Sequence, residues 1–514
     1  MKSELRGYLL QECKKLISRH HIKVEQGRRD RARFRKRTGL QPQEPEHSEP
    51  KYWSLSPHFN PFKVRKRAEV LSHTIAAKVR AEKYEPQPAL VVAIPKPHGG
   101  PRYISIFPIP DAAVSAYLFR RLLKRNQHLL SSYAYAYRPD RLPHHAIDNL
   151  YKYAANHPRL YLLEYDFASY FDCLNHQYIL GVLTKYFRIS PRERKLVGQF
   201  LKMRRAVGTA NYNKGVFDVG TAGTPQGASI SLFIANATCF ELDQQLEREG
   251  AIFARYADDL VVLCDDYAKA HRCANRILEH EKQSNASVNL VKSPGISLFT
   301  IERLPEMKFK SSFEFLGYKI MRTAAKRDGH QILGVGLSVG DKAVARIKKK
   351  LSSILFRHLL LYPKAGKFSA NRITQAGVDW DMVTCINELR HYIYGNVSEQ
   401  HLKTCLNDKS AKLRFTKSVL AYFPLVDDPS VFRSLDGWLL QAIQATQRQR
   451  AKIIAQWCPS YRTYSQNELL TGSWYVETLP NEAILPSFFK SWLYVRKLLH
   501  LYDLARFPAL EYAY

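Results

Sequence analysis

The stretch FARYADDLVV, residues 253–262, sets two adjacent carboxylates, Asp258 and Asp259, between two apolar runs. The run that ends at Tyr256-Ala257-Asp258-Asp259 resumes as Leu260-Val261-Val262-Leu263-Cys264, a pattern that predicts a β-hairpin with acids at its tip. Like charges on a tight turn repel, so the arrangement calls for a cation between them. A third acid stands in a similar setting, because LYLLEYDFASYFD (160–172) puts Asp166 at the end of an apolar strand. With the two strands side by side, Asp166 and Asp258 face one another and Asp259 lies close by. Oxygen-only ligation selects Mg2+ or Mn2+. Two such ions ~3.5–4 Å apart would stabilise both the attacking and the leaving oxygen of an in-line phosphoryl displacement. The Asp265-Asp266 pair, which has no apolar continuation after it, reads as surface charge.

The rest of the composition agrees with a polyanionic partner. The 514 residues carry 78 Lys+Arg against 46 Asp+Glu, a formal charge of +32. An excess on that scale suits nucleic acid, since each cation that neutralises a phosphate releases a counterion. Eight cysteines occur without a CxxC pair, which excludes a zinc ribbon or a redox dithiol and implies buried thiols in a reducing compartment. No apolar run reaches the length of a membrane span, so a cytoplasmic protein without membrane contact is expected.

Outward from the acids, residues 1–50 read as a basic N-terminal arm. A helix to about His21 leads into Arg28, Arg29, Arg31, Arg33, Arg35, Lys36 and Arg37, then a Pro- and Glu-containing linker. This run is assigned to RNA binding. Residues 51–155 hold a helix and a hairpin turned at Pro95-Lys96-Pro97-His98-Gly99-Gly100, and residues 156–320 alternate short strands with helices. Beyond about 330 the strands are expected to stop, and helical periodicity runs to the end.

The motifs, taken in order, resemble those of reverse transcriptases. RYADDLVV resembles the YxDD box, IPKPHGGPRYISI the fingers hairpin, DFASYFD the first palm motif, GTPQGASISLFIAN the Pro-Gln-Gly motif, SVNLVKS the motif after it and FLGY the primer grip. The resemblance covers roughly residues 90–320. It implies an α+β right-hand polymerase with fingers (51–155), palm (156–320), thumb (321–400) and a helical C-terminal extension (401–514). It further implies catalytic Asp166, Asp258 and Asp259, with Phe167 joining them at two Mg2+ ions. Lys96, Arg102, Gln226 and Gly227 would bind dNTP, Phe171 would be the steric gate, and Lys292 would protonate the leaving pyrophosphate. Phe315, Leu316, Gly317 and Tyr318 would grip the primer.

Within that family the palm resembles the bacterial lineage related to group II introns, through SYAYAYRPDRLPHHAI and the YADD spelling. Ala228 and the Ser231-Leu232 pair depart from that lineage's GTPQGG and Ser-Pro, and no Cys/His nuclease cluster comes after the palm. FNPFKVRKRAEVLSHTIAAKVRAEKYEPQPA, IFPIPDAAVS and QGASISLFIAN resemble the defence-associated and abortive-infection reverse transcriptases, the type 9 subgroup among them. That resemblance implies anti-phage defence through cDNA made on a structured noncoding RNA, homopolymeric in some members. It also makes a homo-oligomer a candidate, and Tyr512 or Tyr514 a candidate protein primer. The alternatives are an intron maturase or retron polymerase and, in another class, an RNA-binding scaffold with an inactive palm.

Overall fold

The computed structural model describes residues 1–42, 48–95, 101–208, 212, 216–218, 220–302, 307–327, 330–361, 379–408, 410–459, 461–475 and 483–508. Its strands in chain order are β1 Ala89–Ile94, β2 Arg102–Ile106, β3 Leu160–Asp166, β4 Arg205–Val207, β5 Val216–Phe217 and β6 Ile252–Tyr256. They continue as β7 Asp259–Cys264, β8 Gly295–Phe299, β9 Phe309–Lys310, β10 Ser312–Phe315, β11 Tyr318–Arg327 and β12 His330–Val339.

Apolar residues at both parities of β3 demand a strand covered on both faces. It lies at the centre of a five-stranded sheet ordered β6-β7-β3-β8-β9, antiparallel to β7 and β8. Successive residues enter different cores. Leu162, Val261 and Leu263 belong to one apolar cluster, whereas Leu163, Leu260 and Val262 belong to another. The second cluster is built with helices Ile109–Asn126, His176–Tyr186, Ser229–Thr238, Phe240–Arg248 and Tyr267–Ser284. The first is built with helix Pro143–Asn156, the β10–β12 strands and the C-terminal helices. A smaller sheet, ordered β2-β1-β4-β5, carries the β1–β2 hairpin, in which Ile94 pairs with Arg102. This is the α+β architecture of a right-hand polymerase.

Two expectations change. The N-terminal helix does not end near His21 but runs from Lys2 to Thr38, where Gly39 takes a left-handed cap. Leu5, Leu9, Cys13 and Ile17 recur every four residues and are buried, seating the first half against helices Ala68–Arg80 and Ile109–Asn126. The first half of that helix is thus seated on the packed body. The strands continue past 330, because β11 and β12 form a long antiparallel hairpin ending at Val339. Among the described residues, Met382 of 321–400 shares one apolar cluster with Leu402, Phe432 and Leu498 of the C-terminal helices.

Candidate active site

β3 pairs with β7 so that Asp166 stands opposite Asp259, and both side chains leave the same face of the sheet. β6 and β7 are joined through Ala257 and Asp258, and Ala257 takes φ 59°, the left-handed bend of a tight hairpin. Because the turn consumes two residues, Asp259 rather than Asp258 is the direct neighbour of Asp166. Asp258 is tied in through its carbonyl, which accepts the Phe167 N–H at 3.3 Å. Burial pushes the Asp258 carboxyl up to about 6; nearby Asp166 adds to the rise, while Lys292 and Arg102 oppose it. Asp259 rises to about 7 through burial, then through Asp258 and Asp166, with which it also shares a hydrogen bond.

Asp166 is held from the loop that precedes β8. The Lys292 ammonium lies 3.0 Å from Asp166 Oδ2, and Asn289 Nδ2 donates to the same oxygen at 3.1 Å. The Asn289 N–H donates to the Asp166 carbonyl at 2.7 Å, and the Asp166 N–H to Ser293 Oγ at 3.1 Å. Among the described residues no three His, Cys, Asp or Glu side chains form a ready metal cage. The donor chemistry nevertheless fits a hard divalent cation: the converging donors are carboxylate oxygens, and their mutual repulsion is what such a cation relieves. Phe167 brings no side-chain donor, since its ring is buried 5.7 Å from that of Tyr170.

The Pro-Gln-Gly segment is welded to both neighbours. The Ser105 N–H on β2 donates to the Gln226 carbonyl at 2.9 Å, and Gln226 Nε2 donates to Asp172 Oδ2 at 2.9 Å. Gly227 has φ +110°, and a methyl group there would stand 2.8 Å from the Ser105 carbonyl oxygen, so the corner admits only glycine. Phe171 is half-buried, and its carbonyl accepts the Thr224 N–H at 2.6 Å, which fixes it against the same segment. Arg102 lies on β2 and acts electrostatically on Asp258. Lys96 falls outside the described residues.

The residues expected to grip the primer lie on the three-stranded sheet β10-β11-β12. Leu316 and Gly317 form the two-residue turn between β10 and β11, with φ 50° and 79°. The side chains of Phe315, Leu316 and Tyr318 are buried, so the turn offers backbone rather than side chains to a partner. Tyr318 Oη meets His144 Nδ1 at 3.3 Å, and His144 Nε2 meets the Pro508 carbonyl at 3.2 Å. Arg28 to Lys36 occupy the exposed second half of the N-terminal helix, where Arg29 pairs with Glu25 and Arg33 with Asp30. The Arg37 side chain and residues Tyr512 and Tyr514 lie outside the described residues.

Sequence reasoning overlooked Asn289 and Ser293, which flank Lys292 in SVNLVKS, and Arg255, the one cation in the apolar run before the acids. A charged residue inside a strand that must be buried was the available signal for Arg255.

Residues 94–320 match the family described as Reverse transcriptase (RNA-dependent DNA polymerase). The chain is similar to Protein YkfC of Escherichia coli (strain K12), 22% identical over 316 residues that cover 53% of this chain and 76% of that one. Among solved structures it is similar to apo telomerase from Candida tropicalis truncated from its C-terminal domain, at TM-score 0.35 and 15% identity, covering 48% of this chain and 57% of that one. It is also similar to telomerase from Candida albicans in complex with the TWJ fragment of telomeric RNA, at TM-score 0.38 and 13% identity, covering 76% and 66%.

Proposed function

We propose that this RNA-directed DNA polymerase, whose reverse transcriptase domain spans residues 94–320, copies a structured noncoding RNA into cDNA for bacterial anti-phage defence. The observation that carries the catalytic part is the convergence of Asp166, Asp258 and Asp259 at one sheet end, with two of the carboxyls raised by burial and mutual repulsion. Reverse transcriptases normally use divalent metal ions. Two Mg2+ ions, or Mn2+ in their place, would supply charge neutralisation for the displaced pyrophosphate and activation of the primer hydroxyl.

The chain's own residues do the rest of the work in this reading. Phe171, held against the Gln226–Gly227 corner, bars a ribose 2′-hydroxyl, and that corner receives the dNTP. Arg102 and Lys96 meet its triphosphate. Lys292 hands a proton to pyrophosphate in this reading, supported by its ammonium lying 3.0 Å from Asp166 Oδ2. A cavity of about 840 Å3 lined by Arg120, Lys124, Arg141, Tyr135, Tyr137 and Tyr256 supports a path for the RNA strand, with cations for phosphates and aromatic faces for bases. The β10–β11 turn contacts the primer through its backbone. Tyr512 or Tyr514 serves as primer hydroxyl in a second form of the same reaction; support comes from Pro508, which sits against His144 beside Tyr318.

The test is incorporation of each labelled dNTP by protein purified with its bound RNA, beside Asp258→Asn. Loss in the variant supports the polymerase; equal incorporation by both overturns it. A product whose mobility shifts after protease treatment supports tyrosine priming, and a freely running product removes it. Plaque counts on bacteria carrying the wild type or Asp258→Asn test defence, which fails if the two protect equally.

A further inference from the structure

A polymerase needs the Asp258–Asp259 turn held at one height, and the Arg255 side chain hydrogen-bonds the backbone of that turn. The Arg255 guanidinium is fully buried. Its Nε and Nη2 form a fork onto the Asp243 carboxylate at 2.7 and 2.5 Å. Its Nη1 donates to Asn236 Oδ1 at 3.3 Å and to the Ala257 carbonyl at 3.4 Å. Ala257 immediately precedes Asp258 and is the residue forced into a left-handed conformation, at φ 59°. A strained residue of this kind persists only where its surroundings over-determine it, and the Arg255 contact is made at that residue.

The same guanidinium ties the turn to two other parts of the site. Asn236 belongs to the Ser229–Thr238 helix, which begins directly after the Gln226–Gly227 corner. Asn236 Nδ2 also donates to the Ala136 carbonyl at 2.8 Å, one residue from Tyr137 on the cavity wall. Asp243 lies on the next helix, Phe240–Arg248, and its fork leaves Arg255 one orientation. A buried ion pair is a poor way to stabilise a fold, because apolar residues of similar volume usually do as well or better once both charges leave together. What apolar residues cannot supply is the directed hydrogen bond to Ala257.

We propose that Arg255, oriented by Asp243, is a positioning residue for the catalytic turn: it fixes the Ala257 carbonyl and so aims the Asp258 and Asp259 carboxylates at Asp166. The inference rests on those three acids being the catalytic ones, and the Asp258→Asn control tests that separately.

The deciding experiment compares the full-length wild type with Arg255→Met, Asp243→Leu, their double variant and Arg255→Lys. Each is followed by melting temperature, by kcat and dNTP KM, and by calorimetric Mn2+ binding. Each single apolar variant leaves a buried charge alone and lowers the melting temperature. The double variant should recover the melting temperature while kcat stays about 30-fold down. Mn2+ binding should stay weaker, and KM should move little. Recovery of kcat and Mn2+ binding together with stability would overturn the proposal, leaving the pair a fold element only. Where the double variant does not fold, Arg255→Lys decides. It keeps a positive charge beside Asp243 but lacks the Nη1 donor that reaches Ala257, so weakened Mn2+ binding and a kcat about 10-fold lower at near wild-type melting are expected. Wild-type kinetics and Mn2+ binding in Arg255→Lys would sink the idea.

Discussion

Gly227 shows how narrow the tolerance at the Gln226–Gly227 corner is. Its φ of +110° is closed to L side chains without strain, and a Cβ would press to 2.8 Å on the backbone oxygen of Ser105, which no side-chain rotation can relieve. Gly227→Ala should therefore push the corner off β2, costing about 2–3 kcal/mol of stability and raising the dNTP KM about tenfold or more. Steady-state kinetics check this, and a KM within twofold of wild type would contradict the nucleotide-binding role proposed for the corner. At this scale the acids were legible because charge at the end of an apolar strand is conspicuous. The partner of Asp166 was misjudged for a physical reason: sequence shows that two acids are adjacent but not which one the turn removes from the ladder. Asn289 and Ser293 were not legible, since small polar residues in a loop carry no pattern until the loop folds over Asp166.

Elements are held by local chemistry that leaves a pH signature. Helix Pro191–Leu201 starts with a capping box from Ser190 and Glu193, and Glu193 also receives Arg125 Nη1 at 2.8 Å and Arg121 Nε at 2.8 Å. Burial alone would raise the Glu193 carboxyl, but the Arg125 bond, the Ser190 N–H and the Arg121 bond bring it down to about 2. A carboxyl depressed in the folded state adds stability that is complete above its unfolded value, near 4.5, and is lost as pH falls through about 2. Glu193→Gln should thus cost about 1–3 kcal/mol near neutrality, with the gap in melting temperature between wild type and variant closing as pH drops from 4.5 toward 2. Melting curves across that range test it, and a gap independent of pH would contradict the ion pairs. That helices alternate with strands between residues 156 and 320 was readable from apolar spacing. The length of the N-terminal helix was not: residues 22–36 have no buried stripe to betray a helix, and the helix continues because its Arg, Lys, Glu and Gln are good helix formers propagating from a packed start. The β12 strand was missed because Gly334 and Gly336 argue against a strand by propensity, whereas the register with β11 supplies the pairing.

At the scale of the whole molecule, charge and core make separate demands. The N-terminal helix begins on helices Ala68–Arg80 and Ile109–Asn126, while at its other end Arg33 is near enough to Glu388 and His358 to act on both, so its cationic half reaches toward the C-terminal helices. If that half binds RNA phosphates, changing Arg29, Arg35 and Lys36 to Gln should reduce the slope of log affinity against log salt by roughly 2–3. An unchanged slope in a binding titration would remove the assignment. The division into thumb and extension was not legible, because helical periodicity shows that helices exist but not which of them share a core. Tyr318, Leu337 and Ile347 of the hairpin and the helix after it pack in one cluster with Leu420, Phe432, Leu439 and Leu498, and that cluster also covers Leu162 and Val261 of the catalytic sheet. The buried Arg450 reaches back to Asp379 at 2.8 Å and Asp381 at 3.2 Å. A chain cut after residue 400 would uncover the apolar faces of helices Asp341–Leu355 and Trp380–Tyr394 and remove Arg450 from Asp379 and Asp381, a loss comparable with the ~5–15 kcal/mol that holds a domain folded. Such a truncation should be insoluble or lack a cooperative melt, with no polymerase activity even when RNA is supplied. A soluble, cooperatively melting and active product ending at residue 400 would show instead that the palm carries its own complete core and that the C-terminal helices are an accessory.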